Sequence, residues 1–168
     1  MTNPKDPVPN EWKEGGLSYR TGLTYNTARQ MIDAAMAEAK KQGLTMVIAI
    51  TDAGGNLLAF GRMDDAMLVS TQIAIDKAFT AVYGKVPTLT WRTIVQSGNI
   101  PPLFIHKRWT AFAGGFPLRK GKELFGGIGC SGATSYGDVS AARAGLLAGG
   151  FSTEDADNIL KELKEGES

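Results

Sequence analysis

A single histidine, His106, stands in the segment Leu103-Phe104-Ile105-His106-Lys107-Arg108-Trp109 behind Pro101-Pro102. Imidazole changes charge near neutral pH, so His106 is the candidate general acid/base or metal ligand. The plain alternative is a surface histidine among Lys, Arg and Trp. Arg62 and Asp64 follow an apolar run. A guanidinium there can fork onto a ligand carboxylate or pair with Asp64 or Asp65. Cys130 lies in a run of glycines before a predicted helix, a setting that lowers a thiol's pKa and makes it a nucleophile. A buried inert thiol is the competing reading. Tyr136, just beyond, either donates a hydrogen bond to a developing oxyanion or packs beside the loop.

The stretch that must position several of these groups runs from Lys122 to Gly145. A short apolar strand over Glu123–Ile128 is predicted to enter a turn at Gly129-Cys130-Ser131-Gly132. An Ala-rich helix then begins near Val139, with Ser135 and Asp138 at capping-box spacing. A glycine loop feeding a helix N-terminus offers free N–H groups and a positive dipole end to carboxylates or phosphates. Equally, glycine there does no more than make a tight connection. Gly127–Gly132 also fits G-x-G-x-x-G, but no strand follows the helix to close a βαβ unit, so a dinucleotide site is rejected.

Composition narrows the classes of partner. The 168 residues suffice for one domain with its own core, and 18 Lys plus Arg against 17 Asp plus Glu leave a net charge of +1. The basic residues are scattered, so no nucleic-acid footprint is expected. No apolar run approaches the ~20 residues of a membrane helix, and Met1–Gly16 lacks an apolar signal core, so the expectation is a cytoplasmic protein without membrane association. One cysteine excludes an internal disulfide or a cysteine-based zinc cluster. Near-neutral charge favours self-association.

Residues 1–20 read as an extended arm, whose Trp12, Leu17 and Tyr19 pack on the body or on a neighbouring subunit. Thr24 caps a helix over Tyr25–Gln42. Its apolar face is Ala28, Met31, Ile32, Ala35, Met36 and Ala39, and Gly43 ends it. Strands Thr45–Thr51 and Leu57–Arg62 form an antiparallel hairpin around Asp52–Asn56. On a long helix over Leu68–Tyr83, Leu68, Ile75, Ala78, Phe79 and Val82 share a face, and Asp76 and Lys77 are expected to point away from that face. A shorter helix over Thr88–Gly98 carries Trp91. Ala111–Arg119 reads as a strand whose interior Gly114 and Gly115 mark a bulge or the close approach of another group. Ala156, Ile159, Leu160 and Leu163 form the apolar face of a last helix. Two hairpins bracketed by helices make an α+β domain, an antiparallel sheet with helices packed on it.

Thr51-Asp52-Ala53-Gly54-Gly55-Asn56-Leu57-Leu58-Ala59, Arg62-Met63-Asp64 and Asp76-Lys77-Ala78-Phe79-Thr80-Ala81 resemble the first half of the GlcG/HbpS family. Gly114-Gly115-Phe116-Pro117-Leu118 and Gly126–Gly132, with Asp138 following, resemble its second half. The family also includes the C-terminal domain of PduO-type proteins. The similarity covers roughly residues 22–148, in matching order. It implies a profilin-like antiparallel sheet of about five strands flanked by helices; the expected organisation is one such domain over 21–168 with an added C-terminal helix that lies outside the similarity. It also implies an oligomer and, in several members, binding of haem or a cobalamin-related ligand. The Pro101–Trp109 segment departs from the family pattern.

The favoured expectation is a binding protein for haem or another acid-bearing, anionic small molecule, with no other cofactor and no metal site. Its candidate ligand-binding residues are Arg62, Asp64, Gly115, Gly129, Cys130, Ser131, Gly132 and Asp138. His106 or Cys130 would reach a haem iron. The alternative is a cofactor-independent lyase, isomerase or hydrolase for a small organic or aromatic acid, with His106 and Tyr136 as catalytic groups. A second alternative is an oligomeric scaffold.

Overall fold

The computed structural model describes residues 22–98 and 107–165. The arm expected over 1–20 and His106 lie outside the described residues. Among the described residues nine elements follow one another: α1 (Tyr25–Lys41), β1 (Val47–Asp52), β2 (Leu57–Arg62), α2 (Val69–Gly84), α3 (Thr88–Gln96), β3 (Gly115–Lys120), β4 (Glu123–Ser131), α4 (Ser135–Ala148) and α5 (Glu154–Glu165).

Thr24 caps α1 as expected, its hydroxyl accepting from Thr27 N at 3.2 Å. The predicted face of α1 is buried except for Met36, which is half-buried against the core. The first hairpin closes on Asp52, whose Oδ1 accepts from Gly54 N and Asn56 N at 2.9 Å each. That Asx turn replaces two backbone contacts the chain would otherwise lack.

Among the described residues the sheet holds four strands, in the order β2-β1-β4-β3 and all antiparallel, against the five or so implied by the resemblance. Side chains alternate across it. Ile48, Ile50, Phe116, Leu118, Ile128 and Cys130 enter the core under α1 and α4, whereas Val47 and Ala49 meet Ala74 and Ala78 of α2 on the other face. The result is a helix–sheet–helix sandwich. No helix among the described residues is long and apolar enough to cross a membrane.

Two expectations change at β4. The strand does not stop at Ile128 but continues through Ser131, because Gly129, Cys130 and Ser131 pair with Ala49, Ile48 and Val47 of β1. The glycines on its other face admit α2. A Cβ on Gly129 would sit 2.1 Å from the Ala74 carbonyl oxygen and 2.6 Å from Ala78 N; one on Gly127 would sit 2.4 Å from the Ala78 carbonyl oxygen. Interior strand glycine here means close backbone approach, not a turn. The following helix starts earlier than predicted, at Ser135, capped by Thr134, whose hydroxyl accepts from Gly137 N at 3.4 Å. The capping box fails because Asp138 is engaged elsewhere.

Candidate functional site

A cavity of about 190 Å³ opens where the start of α2, the segment before β3, the end of β4 and the first turn of α4 meet. Its polar lining is Ser70, Ser131, Ser135, Lys77 and Asp138, and Met67, Val69 and Phe112 form an apolar lip.

At its floor lies a buried ion pair. Lys77 Nζ donates to Asp138 Oδ2 at 2.6 Å and to the Cys130 carbonyl oxygen at 2.7 Å. The two side chains are 1% and 7% exposed. Asp138 Oδ1 accepts from Ala133 N at 3.0 Å, so one carboxylate ties the β4–α4 connection to α2. Burial lowers the Lys77 ammonium below its ordinary pKa and lifts the Asp138 carboxyl above its own; each partner's charge opposes the other's shift. Lys77 therefore corrects the expectation that it faces away from the packed side of its helix. Helical spacing puts Ser70, Ala74, Lys77, Ala78 and Ala81 on one stripe, and all five are buried. Small residues around one lysine were the available signal, masked by the tendency of lysine to sit on surfaces.

The lip has its own supports. Thr88 Oγ1 donates to the Phe112 carbonyl oxygen at 2.6 Å and accepts from Gly115 N at 3.0 Å. Upstream, Arg108 Nε donates to Asp76 Oδ1 at 3.0 Å while its guanidinium covers the Phe79 ring at 4.0 Å. Thr80 Oγ1 accepts from Thr110 N at 3.0 Å. The chain that emerges from the Pro101–Trp109 region is thus sutured along the outside of α2 before Phe112 reaches the cavity.

The predicted residues divide. Ser131, Gly132 and Asp138 line the cavity. Gly129 lies in β4 against α2, and Gly115 opens β3, where a Cβ would meet Thr88 Cγ2 at 2.4 Å and the Lys77 carbonyl oxygen at 2.7 Å. Cys130 is fully buried in the core, and burial, reinforced by the nearby Asp138 charge, pushes its thiol up rather than down. The lowered pKa expected of a helix start is absent because Cys130 stands in a strand and points away from the cavity side. Arg62 is exposed and does not line the cavity. It and Ser131 both pair with Val47, which separates them by two strand spacings, about 10 Å. Asp64 edges a separate depression with Lys40 and Thr45. Tyr136 is half-buried with the Lys164 ammonium of α5 5.5 Å from its ring. Among the described residues no three His, Cys, Asp or Glu side chains gather as a metal site.

Comparison with known proteins places this architecture. The family model described as "Haem degrading protein HbpS-like" matches residues 23–147. The corrinoid adenosyltransferase PduO of Salmonella typhimurium is 32% identical over 129 residues, which are 75% of this chain but 38% of that protein. The chain thus spans well under half of that relative. Protein GlcG of Escherichia coli K12 is 33% identical over 113 residues, 65% of this chain and 81% of GlcG. The crystal structure of a PduOC–haem complex superposes with a TM-score of 0.74 at 31% identity, covering 79% of this chain and 98% of the other. With the sheet order, the glycine-lined strand and these matches together, the chain belongs to the HbpS-like family that includes GlcG.

Proposed function

We propose that this protein binds a small molecule with an apolar body and an acid arm, haem among such ligands. The observation that carries the reading is a cleft that holds serine hydroxyls and a buried ion pair and is bordered by an exposed apolar lip. Met67, Val69 and Phe112 are 59%, 63% and 59% exposed beside the cavity. Clustered exposed apolar side chains mark binding surfaces.

The cavity's ≈ 190 Å³ lies below the roughly 300–1,000 Å³ of pockets that engulf drug-sized ligands. It suits a carboxylate arm, not a whole macrocycle, whose apolar face would lie on the lip. The Ser131 and Ser135 hydroxyls and the N-terminus of α4 are the groups offered to the acid. Haem, when bound, supplies an iron whose axial positions accept thioether, imidazole, thiolate or phenolate. Met67 is the residue of that kind on the described lip, and His106 is the candidate from the sequence. The haem complex among the solved relatives supports this choice of ligand.

Haemin titration tests the reading. A saturable Soret band at one haemin per chain is expected. Phe112→Glu and Val69→Glu should each weaken it about tenfold or more, as loss of a buried apolar contact requires. Leu147→Glu, equally exposed at 63% but on the far part of α4, should leave it unchanged. No spectral change on adding haemin would end the haem reading.

A further inference from the structure

Lysine is a costly residue to place between a helix and a sheet. The stripe of α2 that meets β4 admits Ala74 and Ala78 only because Gly127 and Gly129 lack side chains. Lys77 is the exception, and the backbone withdraws around its head. Gly114, at φ +105°, could carry no Cβ without placing it 2.7 Å from the Cys130 carbonyl oxygen, 2.8 Å from Asp138 Cβ and 3.3 Å from Lys77 Nζ. A lysine ammonium has three N–H donors. Asp138 and the Cys130 carbonyl take two, and no hydrogen-bond acceptor among the described residues takes the third. The residue lines the cavity. An apolar side chain would fill the space without the desolvation cost of a buried pair.

We propose that Lys77 is an amine nucleophile that holds the carbonyl carbon of a short oxo acid, or of an aldehyde bearing an acid group, as an imine, with Asp138 carrying the proton. The proposal rests on the preceding reading in one respect, that the cavity admits an acid arm; it does not require haem. The Lys77 ammonium first passes a proton to the Asp138 carboxylate. The free amine adds to the carbonyl carbon and, after a proton moves from nitrogen to oxygen, gives a neutral carbinolamine. Asp138 returns its proton to the departing hydroxyl, water leaves, and the C=N⁺ bond forms. Overall one carbonyl and one ammonium give one protonated imine and one water. Desolvation favours the neutral amine, and the groups in contact with it are the Asp138 carboxylate from α4 and the Cys130 backbone carbonyl from β4. The serine hydroxyls and the first turn of α4 stand beside it for the ligand's acid group.

The test is reductive trapping on the full-length protein. Pyruvate with cyanoborohydride should leave a reduced adduct on the Lys77 peptide ahead of the peptides carrying exposed Lys40, Lys41 and Lys122. Acetaldehyde, which has the carbonyl but no acid group, should label Lys77 at least about tenfold more slowly, the loss of one charge-assisted contact. Lys77→Arg keeps the charge and removes the nucleophile, so the adduct should vanish while the far-ultraviolet circular dichroism stays. If that variant fails to fold, peptide mapping of the wild-type protein still decides. Adducts on surface lysines with Lys77 unmodified in the folded protein would overturn the proposal. Retained haemin binding alongside failed trapping would sink this inference and leave the ligand-binding reading standing; trapping without a Soret band would do the reverse.

Discussion

Asp138 holds Lys77 with one oxygen and the Ala133 amide with the other, so removing it strands a buried ammonium and an unpaired amide together. Asp138→Ala should therefore lower the unfolding free energy by roughly 3–5 kcal/mol, read from urea titration. Replacing both partners, Lys77→Met with Asp138→Leu, should recover most of that loss. The pH signs agree. Asp138's raised pKa gives stability that is complete below the unfolded value of 3.8 and is lost as pH rises through the folded value. Lys77's lowered pKa gives stability present above 10.5 and lost as pH falls through the folded value. Both shifts run in the direction of burial, against the pull of the partner's charge, so the apolar pair should come close to the wild type. A double variant as unstable as Asp138→Ala would refute this. Asp138 was legible from the sequence as a helix-start residue, but its true partner lies 61 positions upstream. No local spacing rule reaches that far. Cys130 had two readings for a related reason, since its ionisation depends on strand or turn and a run of glycines fits both; the structure bears out the buried thiol.

At the scale of elements, β4 and α2 meet backbone to backbone, so the glycines of that strand are steric requirements. Gly129→Ala forces a Cβ against the Ala74 carbonyl and should cost about 3 kcal/mol or more, since overpacking against backbone cannot relax by changing a rotamer. Gly43→Ala meets nothing within 4 Å and suffers only its φ of +68°, about 1 kcal/mol. Thermal melts of the two variants separate the causes, and equal shifts would contradict this account. The end of α4 is clasped to α5 by Arg143 and Asp157, each side chain 38% exposed, with Thr153 donating to the same carboxylate at 2.8 Å. Asp157's pKa is lowered chiefly by the Arg143 hydrogen bond. Its contribution is therefore present above pH 3.8 and fades as pH falls through the lowered value. Exposure limits it to under about 1 kcal/mol. Asp157→Asn should show that small loss at pH 7 in urea unfolding, shrinking as pH falls through the lowered value. With its clear apolar period and its cap, α1 was legible almost to the residue, and the apolar face of α5 was legible too. The ends of β4 and α4 were not, because a strand end, a turn and a helix cap draw on the same Gly, Ser and Asp.

For the whole molecule, the sequence order of hairpins and helices was enough to give the class, and the family resemblance supplied the packing. The cavity was only half legible: Ser131, Gly132 and Asp138 were named, Lys77 was placed on the wrong side, and Arg62 belongs to another stretch of the sheet. Convergence from four elements is a tertiary fact that periodicity does not encode. Self-association remains a proposal, and Leu68, 75% exposed next to the lip, offers a test. Leu68→Glu is expected to lower the sedimentation mass of an oligomer that uses this side of the molecule, and an unchanged mass would place any interface elsewhere.

The bare contact of α2 on β4 has a consequence for how a guest is received. Nothing compressible lies between those two backbones, so one wall and the floor of the cleft keep their spacing whether or not it is filled. Entry then demands little rearrangement of the host, selection operates through shape at first encounter, and amide exchange along both elements should be as slow in the empty protein as in the loaded one.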